Sequence, residues 1–283
     1  MGKNSSIEWT HHTFNPWWGC TKVSPGCENC YAETWARRVG ADIWGAKASR
    51  RFFTKHHWTE PMKWNADARE EGTRKRVFCA SMADVFEARK DLDSWRAQLW
   101  ILIGCTPWLD WLLLTKRPEN VEEYVPWTTT WPANVWLGTS VEDQQRADER
   151  IPILLKHPVK FRFLSCEPLL GLVDLTPWTE RLPKDLHKID WLIAGGESGP
   201  NARAMLPSWA RQLRDQCQSA GIPFHFKQWG HWAPVSAPKR ENAFVRKFWD
   251  NVTGMEFFMA AKGKKVAGRR LDGMTWDQLP ATT

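Results

Sequence analysis

Residues 110–118 read DWLLLTKRP, and they show the pattern that decides the fold: a short run of large apolar residues that ends in polar and charged ones. An uninterrupted apolar run of this length predicts a β-strand that is buried on both faces. The same pattern recurs at residues 76–84, 134–142, 160–168, 190–198 and 222–228. A further strand is expected near residues 7–15, so the sequence predicts about seven strands.

The segments between these runs are long enough to form helices that cross from one strand to the next. Residues 93–104, 141–156 and 207–220 have the length that such crossover helices need. Strands that alternate with helices predict an α/β protein with a parallel sheet, and about seven strands suffice for a partial or complete (β/α) barrel. A doubly wound open sheet is the alternative architecture.

The alternating pattern stops after residue 230. Basic residues at 237–240 and 262–265 then flank a segment that contains several aromatic residues. We therefore interpret residues 1–283 as a single domain, with a (β/α) barrel at residues 1–230 and a C-terminal extension at residues 231–283. The extension is either a lid over the barrel mouth or a small hairpin packed on the barrel, and its basic and aromatic residues suit contact with a nucleic acid.

The composition of the chain bounds its partners. The chain has 283 residues, 42% of them hydrophobic, and can bury a full core. Its formal net charge of +7 favours a polyanionic partner such as nucleic acid, although some proteins that bind none share such a charge. Trp17, Trp18, Trp229 and Trp232, four of the 21 tryptophans, lie in loops, where they either cover the core or stack on a base.

The seven cysteines do not suggest a framework of disulfide bonds. Four of them, Cys79, Cys105, Cys166 and Cys217, are scattered singly, as is typical of small buried hydrophobic residues. The odd total, the lack of a signal peptide and the lack of an apolar run long enough to cross a bilayer favour a reducing environment. The sequence therefore predicts a cytoplasmic protein without a membrane partner.

The other three cysteines, Cys20, Cys27 and Cys30, form a C-x6-C-x2-C motif near the N-terminus. Thiolates are soft ligands that suit zinc and iron–sulfur clusters, and the turn expected at residues 25–26 lets the first cysteine join the other two. In a zinc site, His11 or His12 would complete a Cys3His tetrahedron. In a [4Fe–4S] site, three cysteines would leave one iron open for another ligand. Three unconnected thiols are the third possibility.

Polar residues at the carboxyl ends of the predicted strands are candidates for a ligand site, because those ends converge at one edge of the sheet. Two of them, Lys116 and Glu167, directly follow buried runs, where a charge needs a partner or a ligand. Ser140 is also a candidate cap for the helix that follows it. The whole set is Ser81, Asp84, Thr115, Lys116, Thr139, Ser140, Glu142, Glu167, Gly195, Gly196, Glu197, Lys227 and Gln228.

Several stretches resemble one family closely. They are residues 6–10 (SIEWT), 15–16 (NP), 114–118 (LTKRP), 163–169 (FLSCEPL), 195–199 (GGESG), 226–230 (FKQWG) and 271–273 (LDG). They are similar to the phage-associated three-Cys-motif family, which consists of radical S-adenosylmethionine-like proteins of phages and prophages. The resemblance covers nearly the whole chain, and it implies a (β/α) barrel that binds a [4Fe–4S] cluster and S-adenosylmethionine.

By this resemblance Cys20, Cys27 and Cys30 hold the cluster, whose open iron binds S-adenosylmethionine. One electron from an external reductant then yields a 5′-deoxyadenosyl radical, which removes a hydrogen atom from the substrate. The usual loop of the superfamily is C-x3-C-x2-C with an aromatic residue before the last cysteine, whereas here six residues separate the first pair and Asn29 precedes Cys30.

The resemblance also suggests roles for the residues at the strand ends. Lys116 resembles the lysine that pairs with the methionyl carboxylate, and Ser140 resembles a nearby hydroxyl ligand. The residues expected to bind the cofactor are Ser81, Asp84, Lys116, Ser140, Glu142, Gly195 and Gly196. The residues expected to act in catalysis are Glu167, Glu197 and Lys227, although binding of the substrate suits Glu197 equally well.

The expected substrate is a base of phage DNA or a nucleotide, with hypermodification of thymidine favoured, in the cytoplasm of the host cell. A base inside a duplex would have to be flipped out or presented in a single strand. Two alternatives come from other classes. One is a zinc-stapled nucleic-acid-binding protein without catalysis, and the other is a radical S-adenosylmethionine enzyme that acts on an amino acid or a peptide.

Overall fold

The computed structural model describes residues 5–183, 185–199, 201–237 and 244–281. Seven strands form one sheet in the order in which they occur along the chain, and every neighbouring pair is parallel. They are β1 (His12–Thr13), β2 (Lys75–Cys79), β3 (Leu109–Thr115), β4 (Val135–Ser140), β5 (Phe161–Cys166), β6 (Trp191–Gly195) and β7 (Phe224–Gln228). The seven predicted strands are thereby confirmed.

The order of the strands decides between the two predicted architectures. A doubly wound sheet reverses its strand order at one point, whereas this sheet runs from β1 to β7 without a reversal. The doubly wound alternative is therefore wrong. Among the described residues β1 and β7 are not paired, so the sheet is a partial (β/α) barrel whose two edges stay apart.

The crossover helices occur where the sequence predicts them. The helices are α1 (Tyr31–Arg38), α2 (Lys55–Glu70), α3 (Asp93–Cys105), α4 (Val121–Tyr124), α5 (Gln144–Leu154), α6 (Thr176–Thr179), α7 (Pro207–Ser219) and α8 (Lys264–Ala267). Helix α5 is capped by Asp143, whose carboxylate accepts a hydrogen bond from the Arg146 amide at 2.8 Å. The predicted capping role of Ser140 is wrong, because this residue is the last of β4 and is buried.

The inner face of the curved sheet is filled by an aromatic cluster. Its buried members are Trp9, Phe78, Leu112, Trp136, Phe163, Trp191 and Ile193. Gly138 makes room for it, because a Cβ atom there would overlap the ring of Phe163. Trp17, Trp18, Trp229 and Trp232 are buried in the cores as well. The predicted stacking of these four tryptophans on a base is therefore wrong, and they cover the core instead.

The C-terminal extension is a small antiparallel sheet. Its strands β8 (Trp232–Val235), β9 (Val245–Asp250) and β10 (Met255–Ala261) are arranged with β10 in the middle. The Trp232 indole donates a hydrogen bond to the Ala202 carbonyl at 2.7 Å, which ties the extension to the barrel. Most of the predicted basic stretch at 237–240 lies outside the described residues. The role of the extension as a lid stays a prediction.

The tail of the chain covers the edge of β7. The Phe226 amide donates a hydrogen bond to the Trp276 carbonyl at 2.9 Å, and the Trp191 indole donates one to the Gln278 carbonyl at 2.9 Å. A covered edge cannot pair with another chain. Within the described part of the chain, no helix has both the length and the apolar character that a membrane span requires.

His225 on β7 makes the stability of the fold depend on pH. It is 2% exposed, and burial lowers its pKa to about 4. An unfolded histidine titrates at about pH 6.5, so between these two values the unfolded state binds a proton that the folded state does not. The folded state therefore loses stability as the pH falls through this window, by about 3 kcal/mol at pH 4.

We expect His225→Leu to remove most of this loss. Urea unfolding of wild type and variant at pH 7 and pH 4 measures it, and His56→Gln is the control because the His56 side chain is 79% exposed. A wild type and a His225→Leu variant that lose the same free energy of unfolding over this range would contradict the assignment.

Candidate functional site

The cysteine loop, residues 19–30, lies across the carboxyl ends of the barrel strands. The Gly19 amide donates a hydrogen bond to the Met82 carbonyl after β2, at 3.0 Å. Further along the loop, Ser24 contacts Glu142 after β4, and Asn29 contacts Glu197 after β6. In (β/α) barrels this edge carries the ligand sites. The fold thus brings the three cysteines and the strand-end residues to the same place.

The three thiols of this loop are largely shielded from water. Cys27 is buried, whereas Cys20 and Cys30 are half-buried, and none of the three is in a disulfide bond. Burial raises the pKa of the Cys20 thiol to about 12, and burial also raises the pKa of Cys30. Both thiols are therefore protonated at neutral pH unless a metal ion binds them, since coordination deprotonates a thiol outright.

The chemistry of these donors fits an iron–sulfur cluster. The Cys20 sulfur contacts the Arg117 guanidinium and the Thr21 carbonyl, and the Cys27 sulfur contacts the Ser24 hydroxyl. Three soft thiol donors on one loop suit iron and sulfide. Among the described residues, no group of three His, Cys, Asp or Glu side chains lies close enough together to hold a metal ion. The ligand role of the three cysteines stays a prediction.

The histidines proposed for a zinc site have other neighbours. The His11 ring nitrogen Nδ1 accepts a hydrogen bond from the Arg76 amide at 2.8 Å. The His12 ring stacks on Trp64 with 4.5 Å between the ring centroids. Across the described residues, no Cys3His set is assembled.

Asp84 anchors the first half of the cysteine loop through Arg117. Its carboxylate accepts hydrogen bonds from the Thr115 hydroxyl at 2.8 Å, from the Lys116 amide at 3.0 Å and from Arg117 Nη1 at 3.0 Å. Arg117 Nη2 then donates to the Thr21 carbonyl at 2.6 Å. The sequence predicts Asp84 as a cofactor ligand. In the structure Asp84 instead fixes the Arg117 guanidinium, and this guanidinium in turn binds the cysteine loop.

A second buried ion pair supports the same half of the loop. Arg50 and Glu87 are 4% and 3% exposed, and Arg50 Nη2 lies 2.6 Å from Glu87 Oε1. The same Arg50 nitrogen donates to the Thr21 hydroxyl at 3.1 Å. A buried pair of this kind persists where further hydrogen bonds satisfy both partners, and Arg50 also donates to carbonyls of residues 43, 45 and 48.

Glu142 anchors the middle of the loop. Its side chain is 0% exposed and accepts a hydrogen bond from the Ser24 hydroxyl at 2.6 Å. Arg150 Nη1 donates to its second oxygen at 2.8 Å, and Lys116 Nζ lies 3.6 Å from the first. Gly26 packs so closely on this carboxylate that a Cβ atom there would overlap it. Lys116 therefore shares a carboxylate with the loop that carries the cysteines.

Glu197 anchors the last part of the loop. One carboxylate oxygen accepts from Asn29 Nδ2 at 3.0 Å and from Arg203 Nε at 3.0 Å, and the other accepts from Arg203 Nη2 at 2.6 Å. Arg203 also donates to the Glu28 carboxylate at 2.9 Å and to the Pro25 carbonyl at 2.8 Å. Burial opposes ionisation of Glu197, but the hydrogen bonds from Arg203 and Asn29 lower its pKa.

Glu167 belongs to a different cluster, at the ends of β5 and β7. Its carboxylate accepts from Lys227 Nζ at 2.7 Å and from Gln228 Nε2 at 2.8 Å. The Lys227 and Glu167 side chains are 12% and 18% exposed, so both reach the barrel mouth. Of the three predicted catalytic residues, the fold brings these two together and places Glu197 in the loop network.

The remaining predicted residues lie at the same edge. The Ser81 hydroxyl accepts a hydrogen bond from Asn15 Nδ2 at 3.1 Å, and the Ser81 carbonyl accepts one from the Tyr31 hydroxyl at 2.9 Å. Gly195 lies beside Glu167. Gly196 allows β6 and β7 to approach at their ends, because a Cβ atom there would overlap the Trp229 carbonyl. Thr115, Thr139 and Ser140 are buried at the ends of β3 and β4.

Lys116 also borders a cavity of about 310 Å³. Val23 of the cysteine loop, Glu119, and the α5 residues Glu149, Arg150 and Ile153 line the rest of it. The Lys116 side chain is 20% exposed, so its ammonium group is accessible from this side of the mouth.

Sequence reasoning missed the arginines that hold the loop. Arg117 lies in the LTKRP stretch, from which no role for it follows, and Arg50 and Arg203 follow no predicted strand. Arg150 carried a usable signal, because helical spacing places it on the buried face of α5 with Ala147, Ile151 and Leu154. A charged residue on such a face indicates a buried partner.

Comparison with known proteins gives one family and one group of solved structures. A family model described as "Protein of unknown function (DUF5131)" matches residues 4–280. No curated protein matches the chain. A spore photoproduct lyase complexed with dinucleoside spore photoproduct is 12% identical, with a TM-score of 0.45, and the alignment covers 92% of this chain and 71% of the lyase. A doubly substituted form of the lyase, with bound AdoMet and dinucleoside spore photoproduct, is 11% identical with a TM-score of 0.40, covering 89% and 69%.

Proposed function

Since this chain belongs to the DUF5131 family of proteins of unknown function, its function has to follow from its own site, and we propose that it is a radical S-adenosylmethionine enzyme. Cys20, Cys27 and Cys30 would hold a [4Fe–4S] cluster. The observation that carries the proposal is the position of the cysteine loop, which is tied to the carboxyl ends of the strands by Asp84, Glu142 and Glu197. The motif resemblance supports the same class.

A [4Fe–4S] cluster held there and reduced by an external one-electron donor would supply the electron that splits S-adenosylmethionine into methionine and a 5′-deoxyadenosyl radical, and that radical would take a hydrogen atom from the substrate. The protein itself binds and orients the cofactor and the substrate, and it excludes water from them. The aromatic cluster closes the inner face of the barrel below the site. Asp84, Glu142 and Glu197 hold the loop that carries the three thiols, Asp84 through Arg117 and the other two through Ser24 and Asn29.

We assign the binding of S-adenosylmethionine to the strand ends around Lys116. Its ammonium group is a cation at the mouth that suits the methionyl carboxylate, and its contact with Glu142 is long at 3.6 Å. Ser81, Ser140, Gly195 and Gly196 lie along the same edge of the sheet and complete the proposed cofactor site. Asp84 and Glu142 act indirectly, by holding Arg117 and Lys116 in place.

We propose a base of DNA or a nucleotide as the substrate, with thymidine hypermodification as the favoured reaction. The net charge of +7 suits a polyanion. Glu167, Lys227 and Gln228 place a carboxylate, an ammonium and an amide at the mouth, and these groups match the donors and acceptors of a base edge. Glu167 and Lys227 are the proposed catalytic pair, and Glu197 is reassigned to holding the loop. Phage or prophage origin and a cytoplasmic location belong to this proposal.

Protein purified and reconstituted without oxygen tests the proposal. We expect about four irons and four sulfides per chain, with the brown colour of a cluster. Addition of dithionite and S-adenosylmethionine should then release 5′-deoxyadenosine, faster with DNA present than with a peptide. One tightly bound zinc without iron would refute the radical mechanism and leave a zinc-stapled nucleic-acid-binding protein. Turnover with a peptide but not with DNA would refute the proposal that the substrate is a DNA base or a nucleotide.

A further inference from the structure

The Arg117 guanidinium touches one of the three thiols. Its Nη1 atom donates a hydrogen bond to the Cys20 sulfur at 3.7 Å, an ordinary length for a bond to sulfur. The Cys27 sulfur has a neutral neighbour instead, the Ser24 hydroxyl at 3.8 Å. For Cys27 and Cys30 the described contacts include no hydrogen bond from a cationic side chain. The three cysteines of the motif are therefore unequal.

The position of this guanidinium is fixed. The Arg117 side chain is 7% exposed, and the same Nη1 atom lies 3.0 Å from the Asp84 carboxylate. Its Nη2 atom donates to the Thr21 carbonyl at 2.6 Å, one residue from Cys20. Asp84 is itself fixed by the Thr115 hydroxyl and the Lys116 amide. A guanidinium held from two sides cannot turn away from the sulfur without breaking buried hydrogen bonds.

The contact between Arg117 and the Cys20 sulfur bears on the reduction potential of a cluster bound to that sulfur. Hydrogen bonds to the sulfurs of an iron–sulfur cluster, and the net charge near it, set its reduction potential. Reduction adds negative charge, so an N–H group that points at a ligating sulfur favours the reduced form, and burial strengthens the effect. The Asp84 carboxylate cancels much of the long-range charge of Arg117 but leaves the directional N–H···S contact in place.

We propose that Arg117 is a positioning residue that raises the reduction potential of the cluster through its hydrogen bond to the Cys20 sulfur. The inference rests on the proposed function, because it needs the cluster. It assigns to the fourth residue of the LTKR segment, residues 114–117, a task separate from the binding of S-adenosylmethionine by Lys116. The cysteine with the charged donor would then be the one that makes the cluster easier to reduce.

A redox titration followed by electron paramagnetic resonance tests the inference on Arg117→Met and Arg117→Lys. At the midpoint potential of the wild type, we expect the ratio of reduced to oxidised cluster in Arg117→Met to fall about tenfold, which is about 59 mV for one electron. Arg117→Lys keeps the charge near Asp84 but loses the fork of donors, and it should shift the potential less, in the same direction.

Arg203→Met is the matched control. It removes one positive charge that contacts the same loop, but the described contacts of Arg203 are with Glu28, Glu197 and the Pro25 carbonyl, not with a thiol. We expect the midpoint potential of Arg203→Met to differ from that of the wild type by less than a third of the difference seen for Arg117→Met. Iron content per chain is measured for each variant, so that only loaded protein is compared.

The outcomes separate this inference from the proposed function. A wild type that binds no iron refutes the proposed function, and the inference falls with it. A wild type that binds the cluster, together with an Arg117→Met variant of unchanged potential, overturns the inference alone. An equal shift in Arg203→Met also overturns it, because the effect would then come from net charge and not from the contact with sulfur.

Discussion

Protein in which Cys20, Cys27 and Cys30 are all replaced by alanine is expected to be colourless and to retain less than about one-tenth of the iron of the wild type after the same reconstitution. The thiols are the only soft donors that the cysteine loop offers. The variant is expected to fold, because the hydrogen bonds that anchor the loop come from Ser24, Asn29 and Arg117, not from sulfur. Iron and sulfide assays with far-ultraviolet circular dichroism measure both expectations.

Cys105→Ala is the control for the triple variant. Cys105 is exposed at the end of α3, outside the cysteine loop, so its loss should leave the iron content unchanged. Iron retained by a folded triple variant would show that the metal binds elsewhere. Iron lost from Cys105→Ala as well would point to non-specific binding by thiols. Either result would refute the assignment of the cluster to the motif.

The replacement Glu142→Gln is expected to lower the free energy of unfolding by about 3 kcal/mol at pH 7. The Glu142 side chain is 0% exposed and neutralises Arg150, whose side chain is 6% exposed. Glutamine keeps the shape but leaves the Arg150 guanidinium buried without a counter-charge. The Lys116 ammonium group can turn towards water at the barrel mouth. The expected loss therefore lies at the lower end of the range typical of a broken buried ion pair. Urea unfolding measures the difference.

The same variant tests the pH dependence. Burial alone would raise the pKa of Glu142, but the Lys116 and Arg150 cations and the Ser24 hydroxyl lower it below its ordinary value. An acid whose folded-state pKa is lowered stabilises the fold above its unfolded pKa of about 4.3, and this contribution is lost as the pH falls through the folded value. The difference in the free energy of unfolding between wild type and Glu142→Gln should therefore be largest at neutral pH and decrease below about pH 4.

Glu149→Gln is the control for this pair. Glu149 lies on α5, as Arg150 does, and pairs with Arg146, but the Glu149 side chain is 51% exposed, so its loss should cost less than about 1 kcal/mol. Equal losses in the two variants, or a gap that does not change with pH, would mean that Glu142 is not the buried anchor inferred from its contacts.

The strands, the helices and the motif were readable from the sequence for local reasons. A run such as residues 110–118 buries both faces of a strand wherever it folds, so its apolar composition alone indicates the secondary structure. The same reasoning placed Lys116, Glu142, Glu167 and Glu197 at one edge, because parallel strands all end there. It could not tell that Glu167 faces Lys227 while Glu197 faces Arg203, since both glutamates follow an apolar strand.

The sequence by itself determined an α/β fold with a parallel sheet, the edge of that sheet where the candidate site lies, and the three cysteines, because each depends on residues close together in the chain. Only the tertiary structure decided that the sheet is a partial barrel and not doubly wound, and how the cysteine loop is held. Ser24 meets Glu142 across 118 residues, Asn29 meets Glu197 across 168, and Arg203 meets Glu28 across 175. No local pattern encodes such pairs, because the curving of the sheet brings their elements together. Each charge that is buried there is then stabilised only by a partner that lies within reach.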